Sequence, residues 1–467
     1  MQNKKTMPIE NRTFAVGNES DMIDFLSEII ACETVLSAPL EGAPFGSENL
    51  RCLKAYLDKA ESFGFETKIV DGFAGHVEWK CGKKDAPLFG VLGHLDVVPA
   101  GEGWDTPPFQ LTIKDGKFFG RGVQDDKGPM VIALYALKQM KDSGFAPNKD
   151  IRLIVGCNEE NGSSCVEHYF TKERMPDVAI SPDSDFPAIH SEKGIVWVSC
   201  DMDLNLAGFE AISGGEKMNM VPQKTSAVYC GDIESFEFED CDIQAKDSGD
   251  KIILTSHGVN AHGSMPEMGE NSISKLIFAL HTLLYESADS TAKAGLDFLA
   301  KVAEDTNGKA VGIFSRDDVS GELTHNLGTI SYKKGKLNFG LDIRYPNNTS
   351  VEKILDKLAK VAPKGSVFSI INSQNKLFVS PKDPLVKLCV ESYNSFTGEN
   401  AKSKKIGGGT YARELKYGVA VGPVFDGVPT TIHNKNEHMT EWEFFMSGEI
   451  ILDIMKKISG ESFNFGK

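Results

Sequence analysis

The chain has 467 residues, 41% of them hydrophobic and 25% charged, with 45 glycines and 20 prolines along its length, which excludes collagen-like, coiled-coil and wholly disordered classes. At roughly 100–200 residues per domain, such a length predicts more than one domain. Subtracting 66 acidic from 50 basic residues leaves −16, and no long basic run offsets it, so nucleic acid is not an expected partner.

The opening MQNKKTMPIENRTF has two lysines but no apolar h-region and no small-residue cleavage site, so it does not read as a secretory signal. Glu19–Ala31 places Met22, Phe25, Leu26, Ile29 and Ile30 at helical spacing behind an acidic first turn, which predicts an amphipathic helix. Leu53–Phe63 predicts a second helix, and the apolar run Pro87–His94 a buried strand. Pro129–Met140 follows as a helix with proline where the first turn tolerates it, and Ile151–Cys157 as a strand. A polar helical segment and a short strand, Asp177–Ser181, complete the series. Strand, helix, strand, helix, strand is the pattern of a parallel sheet covered by helices. The longest apolar stretch, Met130–Leu137, falls far short of the ~20 residues a membrane-spanning helix needs, so no membrane partner is expected.

From about Ala188 the pattern turns to β-type stretches, GIVWVSCDMDL, KIILTSHGV and KLNFGLDIRYP, interrupted by helical runs at Ser272–Tyr285 and Ser350–Val361. A helical pattern returns over 384–397, then come a glycine cluster, the apolar run YGVAVGPVF and a terminal helix, Glu441–Ile458. The predicted fold is α/β: a mostly parallel-sheet domain with helices on both faces, residues 1–187 and 381–467, interrupted by an inserted α+β domain over 188–380. The nine cysteines (32, 52, 81, 157, 165, 200, 230, 241, 389) include no C-x-x-C pair and read as reduced, mostly buried thiols of a cytoplasmic protein.

Polar clusters fall just after the predicted strands: His94 and Asp96 in GHLDVVP, Glu159 and Glu160 in CNEENG, Asp183 in SPDSDFP, and His433 in TIHNKNE. Asp125 and Asp126 in GRGVQDDKGP sit just before a helix. Taken singly, these read as a hydrogen-bonded loop histidine, a solvated acidic loop and a helix N-cap. Together they can converge outside the carboxyl ends of a parallel sheet, where two imidazoles and several carboxylates call for a cation. Oxygen and imidazole donors suit zinc, manganese or cobalt better than calcium.

GHLDVVPAGEGW, GRGVQDDKGP, NEENGSS, SPDSDFP and GVNAHGSMPE together resemble the dinuclear-metal aminopeptidase and deacylase family that contains carboxypeptidase G, the aminoacylases, succinyl-diaminopimelate desuccinylase and the PepV-type dipeptidases. SPDSDFP, NMVP and IGGGTYAR make the PepV-type branch the most similar. The resemblance implies two divalent ions, zinc first: His94 and Asp183 on one, Glu160 and His433 on the other, Asp125 bridging, with a cis bond after Asp125. It further implies Glu159 as general base, Asp96 as partner of His94's second ring nitrogen, and His262 as an oxyanion donor from the inserted domain. Arg344, Asn219 and an N–H nest at Gly407, Gly408, Gly409 and Thr410 would receive the substrate carboxylate. The activity so implied is cleavage of dipeptides with a free C-terminal carboxylate, through a metal-bridging water, by a monomer whose inserted domain is a lid. A deacylase of N-acyl amino acids and a non-enzymatic binding relative are the alternatives.

Overall fold

The computed structural model describes residues 12–231 and 243–463. The first eleven residues of the opening segment and Cys241 lie outside them. Two compact units emerge, one of Met1–His190, Leu377–Lys405 and Gly409–Lys467, the other of Ser191–Lys376 with Ile406–Gly408.

In the first unit, Leu88–His94 is a wholly buried strand that pairs in parallel with Asp150–Gly156 on one side and with Val178–Ser181 on the other. Gly418–Ala420 adds a further parallel neighbour beyond Val178–Ser181. The helix Lys127–Asp142 links the first two strands and Ser164–Lys172 links the next two, so the carboxyl ends of all three strands share one edge. The sheet is parallel only at its centre. Glu66–Val70 and Ala74–Trp79 flank it as an antiparallel hairpin, and Ile189–Glu192 runs antiparallel on the other side. Both faces are covered: a side chain at Gly75 would meet Leu53 and Leu57 of the helix Ser47–Ser62, while the neighbouring His76 packs edge-on against Tyr169 of Ser164–Lys172. Adjacent strand residues point to opposite faces, so these two helices lie on opposite sides.

The helix Lys127–Asp142 is buried almost all round because it packs against both Glu19–Ile30 and the terminal helix Glu441–Ser459. That terminal helix opens with a capping box between Thr440 and Glu443. The second unit is built on an eight-stranded antiparallel sheet in which Gly194–Asp203, Thr324–Lys333 and Lys336–Tyr345 are the long central strands. Its core is formed with the helices Ser272–Leu284, Ser290–Glu304 and Val351–Val361. Ser290–Glu304, where Asp289 caps two N–H groups, is a helix the periodicity did not single out. Of the described cysteines, Cys230 is exposed, Cys81 is half-buried, the rest are buried and all are free thiols. No helix among the described residues is long and apolar enough to cross a membrane.

Candidate metal centre

Each cluster stands where a strand or loop of the first unit delivers it. His94 is the last residue of its strand, and its Nε2 lies 3.1 Å from Asp125 Oδ1 and 3.8 Å from Asp183 Oδ1. His433 is held in the left-handed region, φ 61°, and its Nε2 lies 3.0 Å from both Asp125 Oδ2 and Glu160 Oε1. That backbone conformation costs a non-glycine residue about 1–2 kcal/mol, a strain placed directly at the site. The two oxygens of Asp125 therefore face two separate groups, His94 with Asp183 and His433 with Glu160. In each group the donor atoms lie within 4.8 Å of one another.

The loop that carries Asp125 is organised by a residue the sequence reading passed over. Glu437 is fully buried, and its Oε1 accepts the backbone N–H groups of Gly122, Gln124 and Asp125 at 3.1, 2.9 and 3.2 Å. Its Oε2 takes a 2.7 Å hydrogen bond from Arg121, itself 1% exposed. Both residues stand inside motifs already singled out, but a single Arg and Glu 316 positions apart carry no local signature. The Asp125–Asp126 bond is cis. Asp126 occupies the N-cap position of the following helix without capping it; its Oδ2 accepts the backbone N–H of His94 at 3.1 Å instead. A Cβ at Gly93 would strike that carboxylate and the Met130 sulfur, so only glycine lets the two elements approach there.

Asp96 stands at the second ring nitrogen of His94 and serves a further purpose. The ring Nδ1 of His94 is 2.9 Å from the main-chain carbonyl of Asp96 but 3.5 Å from its carboxylate. The carboxylate instead accepts two successive N–H groups, Glu159 on Oδ1 at 3.0 Å and Glu160 on Oδ2 at 3.1 Å. Its geometry is thus that of a clamp on the glutamate loop, because two consecutive main-chain donors match the two oxygens of one carboxylate. With the backbone so fixed, Glu160 turns to His433. Glu159 stays out of both donor groups while feeling the charges of Asp183 and His94. Asp183 accepts the N–H of Tyr411 at 3.2 Å, and the Tyr411 ring packs edge-on against His94, centroids 5.7 Å apart.

The electrostatics fit a cation. Burial raises Glu160, aided by Asp125, to about 7. Burial, then Asp183, pushes Glu159 well up, and Asp183 itself is raised chiefly by burial. Burial lowers His433, but Asp125 and Glu160 outweigh it and hold the imidazole up to about 11. His94 is raised in the same way by Asp125 and Asp183 against burial, while the two imidazoles together lower Asp125 against its burial. Protons on the imidazoles thus do what a metal would do. Metal loading is expected to release protons at neutral pH and to tighten as pH rises. Titration calorimetry in buffers of different ionisation enthalpy reads the number released, and a buffer-independent heat would contradict the assignment.

In the second unit, Asp342 and Arg344 are buried on the strand Lys336–Tyr345 and joined by a 2.7 Å ion pair. The AHGSMP segment docks on NMVP through Gly263 N–H to Asn219 O, 2.7 Å, and Val221 N–H to Ala261 O, 2.9 Å. A Cβ at Gly263 would lie 2.8 Å from Asp342 Oδ2 and 2.9 Å from Asn219 Cα, so the glycine after His262 is a packing requirement. Among the described residues the buried Oδ1 of Asn219 and Nε of Arg344 have no hydrogen-bond partner. His262 Nδ1 accepts the Ser264 N–H at 3.1 Å, and burial, then Arg344, lowers its pKa. The imidazole is therefore neutral with its proton on Nε2, a hydrogen-bond donor.

Gly407 and Gly408 fall in the second unit, Gly409 and Thr410 in the first. None of the three glycines is left-handed, and Thr410 is extended with its hydroxyl capping Ala412. The alternating-hand N–H nest is accordingly not formed, because the chain is drawn out toward Asp183 through Tyr411 N–H.

The sequence pattern of Peptidase family M20/M25/M40 matches residues 90–457. The putative dipeptidase YtjP of Bacillus subtilis is 36% identical over 446 residues, covering 91% of this chain and 94% of that protein. The putative dipeptidase SH1171 of Staphylococcus haemolyticus is 35% identical over 467 residues, covering 95% and 98%. Two solved structures share the fold. Aminoacylhistidine dipeptidase from Vibrio alginolyticus has a TM-score of 0.59 at 12% identity, covering 98% of this chain and 99% of that one. Human carnosine dipeptidase 1 has a TM-score of 0.57 at 15% identity, covering 95% and 97%.

Proposed function

The chain belongs to Peptidase family M20/M25/M40, and from that footing we propose that this hydrolase is a dipeptidase acting on dipeptides with a free C-terminal carboxylate. The observation that carries the reading is Asp125, whose two carboxylate oxygens each face one imidazole of a separate donor group. In the proposed centre His94 and Asp183 would hold one divalent ion, His433 and Glu160 would hold a second, and Asp125 would be shared between them. The set of imidazole and carboxylate donors without thiolate suits zinc, manganese or cobalt. Such ions, when bound, make water acidic near neutral pH and polarise a carbonyl.

Glu159 is the proposed general base. It takes the proton of the attacking water and delivers it to the leaving amine, and its half-buried carboxyl, which belongs to neither donor group, supports that division of labour from Glu160. The role proposed for His262 is to donate from Nε2 to the developing oxyanion. Arg344, Asn219 and the 407–410 segment are the proposed carboxylate receptors; the Arg344 Nε, a buried donor without a partner among the described residues, supports the reading, and Asn219 would donate from its amide nitrogen. In the same reading Asp96 serves by holding the glutamate loop, and the protein is a cytoplasmic monomer whose residues 188–380 act as the lid.

The test is hydrolysis by metal-restored protein of dipeptides, their C-terminal amides, a tripeptide, and N-acetyl and N-succinyl amino acids. Amidation is expected to lower kcat/KM by roughly ten- to hundredfold, the worth of a charge-assisted hydrogen bond of about 1.5–3 kcal/mol. Arg344→Lys should narrow that difference, since it keeps charge but loses the planar fork. Cleavage of the acyl amino acids and not of dipeptides would make the protein a deacylase, and equal cleavage of acids and amides would refute carboxylate recognition.

A further inference from the structure

The two donor groups around Asp125 are built unequally. The side chains of His94, Asp125, Asp183 and Glu160 are at most 12% exposed, whereas that of His433 is 50% exposed. His94 ends a buried strand of the central sheet, but His433 stands in the loop between Pro423–Val424 and His438–Thr440 and belongs to no helix or strand. Such a loop has no ladder or helix of its own to fix it, so the place of its imidazole depends on side-chain tethers.

Two tethers are present, one on each side of His433. Gln124, 3% exposed and adjacent to Asp125, turns its Oε1 to the loop and accepts the Thr431 N–H at 3.2 Å and the Thr430 hydroxyl at 3.3 Å. Thr431 closes the base of the loop, since its Oγ1 accepts the N–H of His438 at 3.0 Å, and His438 pairs with Phe119 in an antiparallel ladder. Three residues beyond His433, Asn436 makes a reciprocal pair with Asp105: its Oδ1 accepts the Asp105 N–H and its Nδ2 donates to Asp105 Oδ2, both at 2.8 Å. Asn436 is left-handed, φ 58°, a conformation that asparagine tolerates better than most residues. His94 and Asp183 are supported by other groups, the first through its N–H on Asp126 and the second by the Tyr411 N–H.

We propose, resting on the two-ion centre proposed above, that Gln124 and Asp105 are positioning residues for His433 and set the affinity of the second ion position without touching it. Gln124 serves both partners of that position. Its main chain leads into Asp125, and its side chain holds Thr431, two residues before His433. The 3.0 Å approach of His433 Nε2 to Asp125 Oδ2 is thus carried through one side chain. Donors held in place beforehand spare binding the entropy of ordering the loop. Loss of either tether therefore weakens the His433 position and spares that of His94 and Asp183.

The test is titration of metal-free full-length protein with cobalt(II), whose visible absorption reports the ligands of each ion taken up, beside equilibrium dialysis for the count. Wild-type protein should take up two ions per chain. Gln124→Met keeps the length of the side chain and removes the acceptor. Its first ion should bind within about twofold of wild type and with the same spectrum, and its second about 10–100-fold more weakly, the usual effect of removing the support of a metal ligand. Asp105→Ala changes an exposed residue, so the fold is not at stake, and should show the same selective loss. Equal weakening of both ions, as a general loosening would give, or an undiminished second ion overturns the role of the residue so changed. A wild type that takes up a single ion overturns the two-ion centre and the tethers with it.

Discussion

Glu159→Gln is expected to lower kcat for dipeptides by about 10²–10⁴-fold, the range in which a positioned acid–base group contributes, while leaving metal content unchanged. The reason lies in how the two glutamates are divided. Asp96 holds the N–H groups of Glu159 and Glu160 on its two oxygens, so their side chains leave the backbone in different directions. Glu160 belongs with His433 and Asp125, whereas Glu159 belongs to neither donor group. Glutamine keeps the volume and the polar head but cannot take a proton. Glu160→Gln, by contrast, should lose metal as well as turnover. Elemental analysis of both variants beside steady-state rates separates the cases; if Glu159→Gln lost metal as Glu160→Gln does, the assignment of Glu159 as base would fall.

Glu437→Ala is expected to destabilise the protein by about 3–5 kcal/mol, the usual consequence of breaking a buried ion pair from one side. Arg121 would be left charged and buried at 1% exposure, and Gly122, Gln124 and Asp125 would lose their shared acceptor. Because Asp125 is one of those three, the variant should also lose metal affinity though Glu437 is no proposed ligand. Burial, then Asp125, raises the Glu437 carboxyl, and its bonds from Gln124 and Arg121 hold it back. Glu437→Gln keeps an acceptor oxygen and should cost less in both respects. Urea unfolding and metal content of the two variants measure this, and a Glu437→Ala protein with wild-type stability and metal would disprove it.

The succession of strands that ends at the site was legible because mostly apolar runs such as Pro87–His94 and Ile151–Cys157 alternate with helical patterns, and burial on both faces demands such runs. Ser290–Glu304 was not, since alanine and lysine positions blur its stripe and its place is secured by packing on Met202, Leu204 and Phe339. The motifs likewise named His94, Asp125, Glu160, Asp183 and His433, and the structure brings these five together.

What the sequence alone determined was therefore the residue types of the centre and the α/β order that delivers them, because both are written in short segments with a local period or motif. Tertiary structure alone decided who supports whom. It gave Asp96 to the glutamate loop, with the carbonyl taking His94, and turned Asp126 from an N-cap into an acceptor for the His94 N–H. It also placed Arg121 and Glu437 under Asp125 and Gln124 under the His433 loop. Those facts depend on which buried donor lies within about 3 Å of which acceptor, and that is settled only when segments hundreds of residues apart pack against one another.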